Sequence, residues 1–453
     1  MALRAPRGTV DLMGRQAQGW NNIRQVAFDL FALYGYQPIE TPAFEQLDVF
    51  VRGIGEATDV VGKEMFHVND TSSLARISSG ETLKPDERLA LRPEMTAGIC
   101  RAVVEHNLVP PDATTVKLAY AASMYRHERP QKGRLREFHQ IGAECLGSPE
   151  PTADAEVIIM LMHFFTELGI PRSSMQLLIN SMGDDNCRPA FRNTIRDFIL
   201  THSGELCEDC IRRADTNPLR AFDCKNANCQ AILANAPQLA SKLCDECAAH
   251  YQSVKLLLDA EGIKYTEAPR LVRGLDYYTR TVFEVQVIEG LGSQNAIGGG
   301  GRYDKLIECY GGKPTPGLGF AVGFERTLMA LEAAGADSFG SPSPSVYVAV
   351  VDESTRTVAF SLVQQLRSAG ISAEIDHQKR SLKSQFKQAD KSGAQFVVVV
   401  GPEELLVGSV TLRAMATREE RQVPLGKLVD VIKPTDVIKP TDVILSGAKD
   451  LRS

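Results

Sequence analysis

What this chain lacks narrows its function first. No apolar stretch approaches the ~20 residues that a membrane-spanning helix needs. The longest, Val157 to Phe165, is short and contains His163. The opening Met1-Ala-Leu-Arg-Ala-Pro-Arg-Gly-Thr9 has no apolar core of the secretory kind. The expectation is a cytoplasmic protein with no membrane partner. Familiar nucleotide and metal motifs are missing too. Gly298-Gly-Gly-Gly-Arg-Tyr303 lacks the third glycine of a dinucleotide fingerprint. No Gly-x-x-x-x-Gly-Lys-Ser/Thr loop occurs, and no His-Glu-x-x-His pair. A bound ATP would therefore have to be held by arginine side chains. Nor is there an excess of positive charge. Lysine and arginine number 50 against 56 acidic residues, a net charge of −6. That argues against indiscriminate coating of nucleic acid but leaves room for a local RNA-binding patch.

What is present is dense in one place. Tyr125-Arg-His-Glu-Arg-Pro-Gln-Lys-Gly-Arg-Leu-Arg-Glu-Phe-His-Gln-Ile-Gly-Ala-Glu144 joins a cationic loop to a strand ending in hydrogen-bond acceptors. Arg126, Arg129, Lys132, Arg134 and Arg136 crowd a segment punctuated by Pro130 and Gly133, residues suited to a turn. Val116 to Tyr125 reads as a buried strand. Phe138, Gln140, Gly142 and Glu144 share one parity and so one strand face. A solvated loop would explain the charges alone, but not the strands that hold them. Further arginines stand in ordered contexts: Arg273 in Arg-Gly-Leu-Asp-Tyr-Tyr278, and Arg326 after a Gly-rich run.

At 453 residues the chain has room for two or three domains, and 43% hydrophobic with 23% charged residues suits a globular fold. Residues 1–183 and 253–333 carry mixed helix and strand signals and form one expected domain, with a cysteine-rich insertion at 184–252. Residues 334–344, containing Ser341-Pro-Ser-Pro344, read as a linker. From 345 to 429 an α/β alternation follows: strand Val346–Val351, helix Ser354–Ala369, strand Ile371–Ile375, helix Ser381–Ser392 and strand Phe396–Val400. Asp430-Val-Ile-Lys-Pro-Thr435 repeats as Asp436–Thr441, and proline in each repeat predicts a flexible tail over 430–453.

These residues together resemble the histidyl-tRNA synthetase family, within the class IIa aminoacyl-tRNA synthetases. The resemblance spans about residues 3 to 425. Glu40-Thr-Pro-Ala-Phe44 resembles the first class motif, which contributes to a dimer interface. Tyr125–Glu144 resembles the second motif and Gly317-Leu-Gly-Phe-Ala-Val-Gly-Phe-Glu-Arg326 the third. Leu271-Val-Arg-Gly-Leu-Asp-Tyr-Tyr-Thr-Arg280 and Gly299-Gly-Gly-Arg-Tyr-Asp304 resemble the histidine-specific signatures. The implied fold is mixed α/β (α+β): an antiparallel-sheet catalytic domain with an insertion, and a C-terminal α/β anticodon-binding domain.

The resemblance also implies roles. Histidine's carboxylate, already ionised at neutral pH, attacks the α-phosphate of ATP, so the step needs alignment and cations rather than a base. Arg126 and Arg273 would supply that charge, Arg273 in place of a metal ion. Phe138 and Arg326 would sandwich adenine, and Arg134 would meet the outer phosphates with Mg²⁺ alongside. An imidazole offers a donor and an acceptor, and Glu144 and Tyr278 are the implied partners, with Tyr277 as a wall. Glu94, Thr96 and Gln140 would hold the α-ammonium. In Leu91-Arg-Pro-Glu-Met-Thr-Ala-Gly98 strand parity would put Glu94 and Thr96 on one face and Met95 on the other. Partners would be tRNA-His, L-histidine, ATP and a second copy of the chain. Gln131 and the cations near it are candidates for the extra 5′ guanosine of tRNA-His. Lys379, Lys383, Lys387 and Lys391 recur every four residues as a basic helical stripe, opposite a buried face of Leu382, Phe386 and Ala389.

Cys207-x-x-Cys210, Cys224, Cys229 and Cys244-x-x-Cys247 have the spacing of metal ligands. The segment resembles the family's insertion domain, which many relatives fold without these cysteines, so the expectation is reduced thiols and no metal, with structural zinc on residues 207–247 the second reading. Two rival functions remain. A regulatory subunit of ATP phosphoribosyltransferase shares the fold without aminoacylating, but typically lacks the C-terminal domain and the catalytic signatures kept here. A non-catalytic RNA-binding module would use the arginines for RNA phosphates, but gives no reason for Gln140, Glu144 and Tyr278 to converge.

Overall fold

A computed structural model describes residues 3–56, 58–110, 115–224, 226–238, 242–336 and 343–432. It divides into two compact units, one running from Gly19 to residue 336 and the other containing residues 343–432.

The strands of the first unit, in chain order, are β1 (Gln37–Pro38), β2 (Phe44–Gln46), β3 (His67–Val68), β4 (Leu89–Leu91), β5 (Val116–Tyr125), β6 (Glu137–Leu146), β7 (Met175–Ser181), β8 (Thr266–Glu267), β9 (Thr279–Val287), β10 (Ala296–Arg302) and β11 (Gly317–Gly323). Eight of them form one sheet in the order β1-β5-β6-β11-β10-β9-β7-β8. Its interior is antiparallel and only the two edge pairs are parallel. β5 and β6 form the expected hairpin, with Met124 opposite Phe138, Ala122 opposite Gln140 and Leu118 opposite Glu144. At its tip Gln131 and Arg134 exchange backbone hydrogen bonds, and Gly133 takes φ +72°, which a side chain would disfavour.

The apolar run around Val157 becomes the helix Pro151–Glu167, with proline in its first turn and Val157, Ile158, Leu161, Phe164 and Phe165 fully buried. It packs across β9, β10 and β11. Beneath it the fully buried Arg302 meets Asp154 and, at 3.1 Å, Asp304, while Asp154 also meets His250 at 3.3 Å. A buried guanidinium is tolerable only with such partners. Among the described residues no helix is long and apolar enough to cross a membrane.

Residues 184–252 fold as the helices Arg188–Thr201, Glu208–Thr216 and Ala227–Leu233 and the first half of Asp245–Ala260. Their core holds Phe191, Ile195, Ile199, Cys210 and Leu233, and this cluster includes Tyr278 and Val282.

The second unit is a sheet of β12 (Val346–Val350), β13 (Ala373–Ile375), β14 (Phe396–Val400), β15 (Ser409–Ala414) and β16 (Glu420–Pro424), in the order β13-β12-β14-β15-β16. Helices Arg356–Ser368 and Leu382–Lys391 pack on it. Two expectations are corrected here. Lys379 is not part of the basic helical stripe: it precedes the helix, takes φ +55° and pairs with Glu353 at 3.4 Å. The tail does not begin at 430, because Leu428–Val431 is helical and Ile432 is buried in the core. The remaining repeats, and the middle of the linker, lie outside the described residues.

Candidate active site

The site is built around a buried carboxyl. Glu144 sits near the end of β6, between Leu118 on β5 and Gly319 on β11, and is 1% exposed. Thr96 Oγ1 donates to its Oε1 at 2.6 Å, and the Tyr303 hydroxyl donates to Oε2 at 2.5 Å. Room for it exists only because residue 319 has no side chain: a Cβ there would stand 1.8 Å from Glu144 Oε2. Burial pushes the Glu144 carboxyl up to about 8. Its hydrogen bonds from Thr96 and Tyr303 act the other way, and the charge of Glu94 adds to the rise. Tyr303 went unassigned in the sequence reading, although it stands inside the Gly299–Asp304 signature. The buried Tyr120 ring, beside Gly142, fills the same layer.

Strand parity does not bring Glu94 and Thr96 together, as the sequence led us to expect. Thr96 opens the helix Thr96–Glu105, and Glu94 precedes it by two residues. The Glu94 carboxylate accepts from Thr96 N and Ala97 N, both at 2.8 Å, and so satisfies two of the helix's orphan donors. Tyr277 adds a longer contact to Glu94 at 3.4 Å. Burial raises the Glu94 carboxyl against the pull of those backbone donors. Met95, 1% exposed, packs in the core cluster that also holds Leu118 and Tyr303. Tyr277 and Tyr278 stand 4.7 Å apart between ring centres, and Tyr277 meets Tyr303 edge-on at 5.7 Å.

The arginines are held by backbone and carboxylate. Arg126 Nε donates to the Pro93 carbonyl at 2.9 Å, and its guanidinium lies 5.2 Å over the Phe138 ring. Arg273 Nη1 donates to Glu284 at 2.6 Å and lies along β10, where a Cβ on Gly299 would stand 2.9 Å from it. Arg326 donates to the carbonyls of Gly133 and Ala296 and to the Gln294 side chain, at 3.2, 3.1 and 2.9 Å. It thereby ties the hairpin loop to β10. Arg134, exposed on that loop, pairs with Glu128. Gln131 is exposed at the tip. In this state Phe138 faces Arg126, while Arg326 is engaged with the loop.

Gln140 lies on the Glu144 face, and its side-chain oxygen is buried without a hydrogen-bond partner among the described residues. An orphaned acceptor in a wall of partnered polar groups is what a ligand's donor would satisfy. Two supports went unassigned in the sequence reading, although Glu325 stands inside the Gly317–Arg326 motif. Glu325 accepts from the His139 backbone at 3.0 Å and contacts its ring at 2.9 Å, fixing β6 beside the third motif. Glu284 fixes Arg273. In the second unit Lys383 and Lys387 are exposed on one helix, and Leu382, Phe386 and Ala389 pack inward, joined by a buried Gln385. In the insertion, Cys207, Cys210, Cys224 and Cys229 converge, while Cys244 and Cys247 instead meet Cys187 and Asp184.

An antiparallel sheet whose face carries arginines, aromatics and buried carboxyls, with no phosphate loop, defines the catalytic core of a class II aminoacyl-tRNA synthetase. The model of the histidyl-tRNA synthetase family matches residues 8–327, and that of an anticodon binding domain matches 345–435. The chain is 44% identical to the histidine–tRNA ligase of Anaeromyxobacter sp. (strain K), covering 94% of this chain and 99% of the relative. It is 43% identical to that of Dehalococcoides mccartyi (strain CBDB1), covering 95% and 99%. Among solved structures it resembles apo S. aureus histidyl-tRNA synthetase, with a TM-score of 0.78 and 33% identity over 95% of this chain and 99% of that one. The chain belongs to the histidyl-tRNA synthetase family.

Proposed function

We infer that this chain ligates L-histidine to tRNA-His, consuming ATP and passing through histidyl-adenylate, with release of pyrophosphate and then AMP. The observation that carries this reading is one connected wall. Thr96, Glu144 and Tyr303 are hydrogen-bonded, Tyr303 meets Tyr277, and Tyr277 meets Tyr278 and Glu94. Such a wall suits a small ligand carrying an imidazole and an ammonium. A carboxyl that titrates near 8 answers either state of an imidazole. Protonated, it donates to the basic nitrogen; ionised, it accepts from an N–H. Tyr278 takes the other nitrogen. The ammonium goes to Glu94, Thr96 and the unpaired oxygen of Gln140.

Arg126 and Arg273 are assigned to the α-phosphate and to the histidine carboxylate. The carboxylate oxygen attacks phosphorus in line, and pyrophosphate leaves with the bonding pair. Two fixed guanidinium groups stabilise the charge that develops and need no reorganisation at the moment of reaction. Phe138 and Arg326 are assigned to adenine, and Arg134, held by Glu128 in the free protein, to the outer phosphates of the Mg²⁺–ATP substrate. In the second step the 3′-terminal hydroxyl of tRNA attacks the adenylate carbonyl. Gln131 at the hairpin tip and Lys383 and Lys387 on the second unit are assigned to the tRNA. The working form is a cytoplasmic homodimer, with Glu40–Phe44 at its interface.

The test is ATP–pyrophosphate exchange with each proteinogenic amino acid, without tRNA. Exchange with histidine alone is expected. No exchange with any amino acid, in folded protein, would favour a regulatory or purely RNA-binding role and would overturn the assignments of Arg126 and Arg273.

A further inference from the structure

We propose that this chain carries two structural zinc sites, one formed by Cys207, Cys210, Cys224 and Cys229 and the other by Asp184, Cys187, Cys244 and Cys247. The ligand atoms of each group lie within 4.8 Å of one another. Tetrahedral zinc with Zn–S bonds of about 2.3 Å sets its sulfurs about 3.8 Å apart. Cys207 Sγ and Cys224 Sγ are 3.8 Å apart. In the second group Asp184 Oδ1 is 3.6 Å from Cys187 Sγ and 3.8 Å from Cys244 Sγ, spacings that suit one oxygen and three sulfurs around a single ion. A disulfide would need sulfurs about 2.05 Å apart, and the cysteines of both groups are free thiols.

The two sites share a construction. In each, a Cys-x-x-Cys pair opens a helix. Cys207 is the N-cap of Glu208–Thr216, and Cys244 is the N-cap of Asp245–Ala260. Each pair is completed by a second pair from an earlier or later turn: Cys224 and Cys229, or Asp184 and Cys187. Backbone donors also point at the ligands, as they do around metal-bound thiolates. Cys207 N reaches Cys229 Sγ at 3.3 Å, and Asp184 N reaches Cys187 Sγ at 3.4 Å. Asp184 divides its oxygens: Oδ1 faces the thiols and the Asn186 backbone donor, while Oδ2 faces Arg280 at 3.5 Å. Cys210, Cys224, Cys229, Cys187 and Cys247 are buried, which is where a closed structural site puts its ligands.

The sequence alone joins six cysteines into one candidate group. The fold separates them, and recruits Cys187 and Asp184, because residues 184–187 enter the insertion and 244–247 leave it. The second site is thus a clip across the neck of the insertion. Next to it, Arg188 donates to the Tyr278 carbonyl at 2.7 Å. The first site stiffens the cluster in which Tyr278 packs.

The experiment is metal analysis of the full chain, produced with zinc in the medium and never exposed to chelator. It is paired with cobalt substitution and with thiol titration under native conditions. Two zinc ions per chain are expected. Cobalt-loaded protein should show the d–d and thiolate-to-cobalt absorption of tetrahedral sulfur-rich sites. The paired variants Cys224→Ser/Cys229→Ser and Cys244→Ser/Cys247→Ser should each lose one ion. Where a variant fails to fold, stepwise release from the unaltered chain by a mercurial, read as two equivalents of zinc, carries the same information. Metal content near zero, with the insertion thiols reacting freely in folded protein, overturns the proposal. One ion per chain overturns whichever site keeps its metal content unchanged when its own cysteines are replaced.

Discussion

At the scale of single residues, Glu144 carries an unusual pH signature. Its carboxyl titrates near 8 in the fold, against about 4.3 in an unfolded chain. A raised carboxyl means that the folded state binds the proton more tightly, so its contribution is fully present below the unfolded value. It is lost as pH rises toward 8, at up to about 1.4 kcal/mol per pH unit. Denaturant unfolding between pH 5 and 9 should therefore show Glu144→Gln losing less stability with rising pH than the parent. Parallel curves would mean that Glu144 is ionised in the free protein. The arginines differ, since their charge is permanent. Replacing Arg273 with His leaves Glu284 with the Gln286 amide, which donates to it at 2.7 Å, and removes the fixed cation proposed for the reacting phosphate. Histidine-dependent exchange should fall about 10²–10³-fold with the circular dichroism unchanged. An equal loss of fold and activity would show only that Arg273 supports Glu284.

Structural elements decide how these side chains meet, and here sequence reading succeeds and fails for physical reasons. The hairpin of β5 and β6 was legible because its signals are local: an apolar run, turn residues and a period of two. The helix start at Thr96 was not. Its cap is Glu94, and a carboxylate accepting two backbone donors leaves a short Pro-Glu-Met-Thr stretch that mimics strand parity. The division of the cysteines was hidden for a different reason: Cys187 and Cys244 are far apart in sequence and are joined only by the neck of the insertion. The role of Gly319 could be seen as a signature residue but not as a hole for a carboxyl. Gly319→Ala would press a methyl onto Glu144. We expect a loss of about 1–3 kcal/mol in unfolding free energy and a raised KM for histidine, with the KM for ATP less affected. An unchanged KM would show that the β6–β11 ladder yields and that Glu144 does not face the substrate. Glu94→Gln should cost about 1 kcal/mol as a lost charged cap, seen as a lower Tm.

For the whole molecule, the question is how two units divide one reaction. The second unit has its own core: β12 and β14 with Leu362, Leu366, Val398, Val410 and Ile432 on one side, and Tyr347, Val397 and Ala389 on the other. Its surface can therefore be changed without disturbing the sheet that holds Glu144. Lys383 and Lys387 are exposed and follow one another by a helical turn, whereas Lys379 is already paired with Glu353. A charge reversal, Lys383→Glu with Lys387→Glu, should leave histidine-dependent pyrophosphate exchange unchanged while raising the KM for tRNA in aminoacylation. Because phosphate contacts release counterions, the salt dependence of that KM should also weaken, by about one unit of log–log slope per lysine that touches phosphate. Lysines that merely line a solvated helix face would leave both the KM and its slope untouched. In that outcome the recognition surface of the second unit would have to lie on another of its faces.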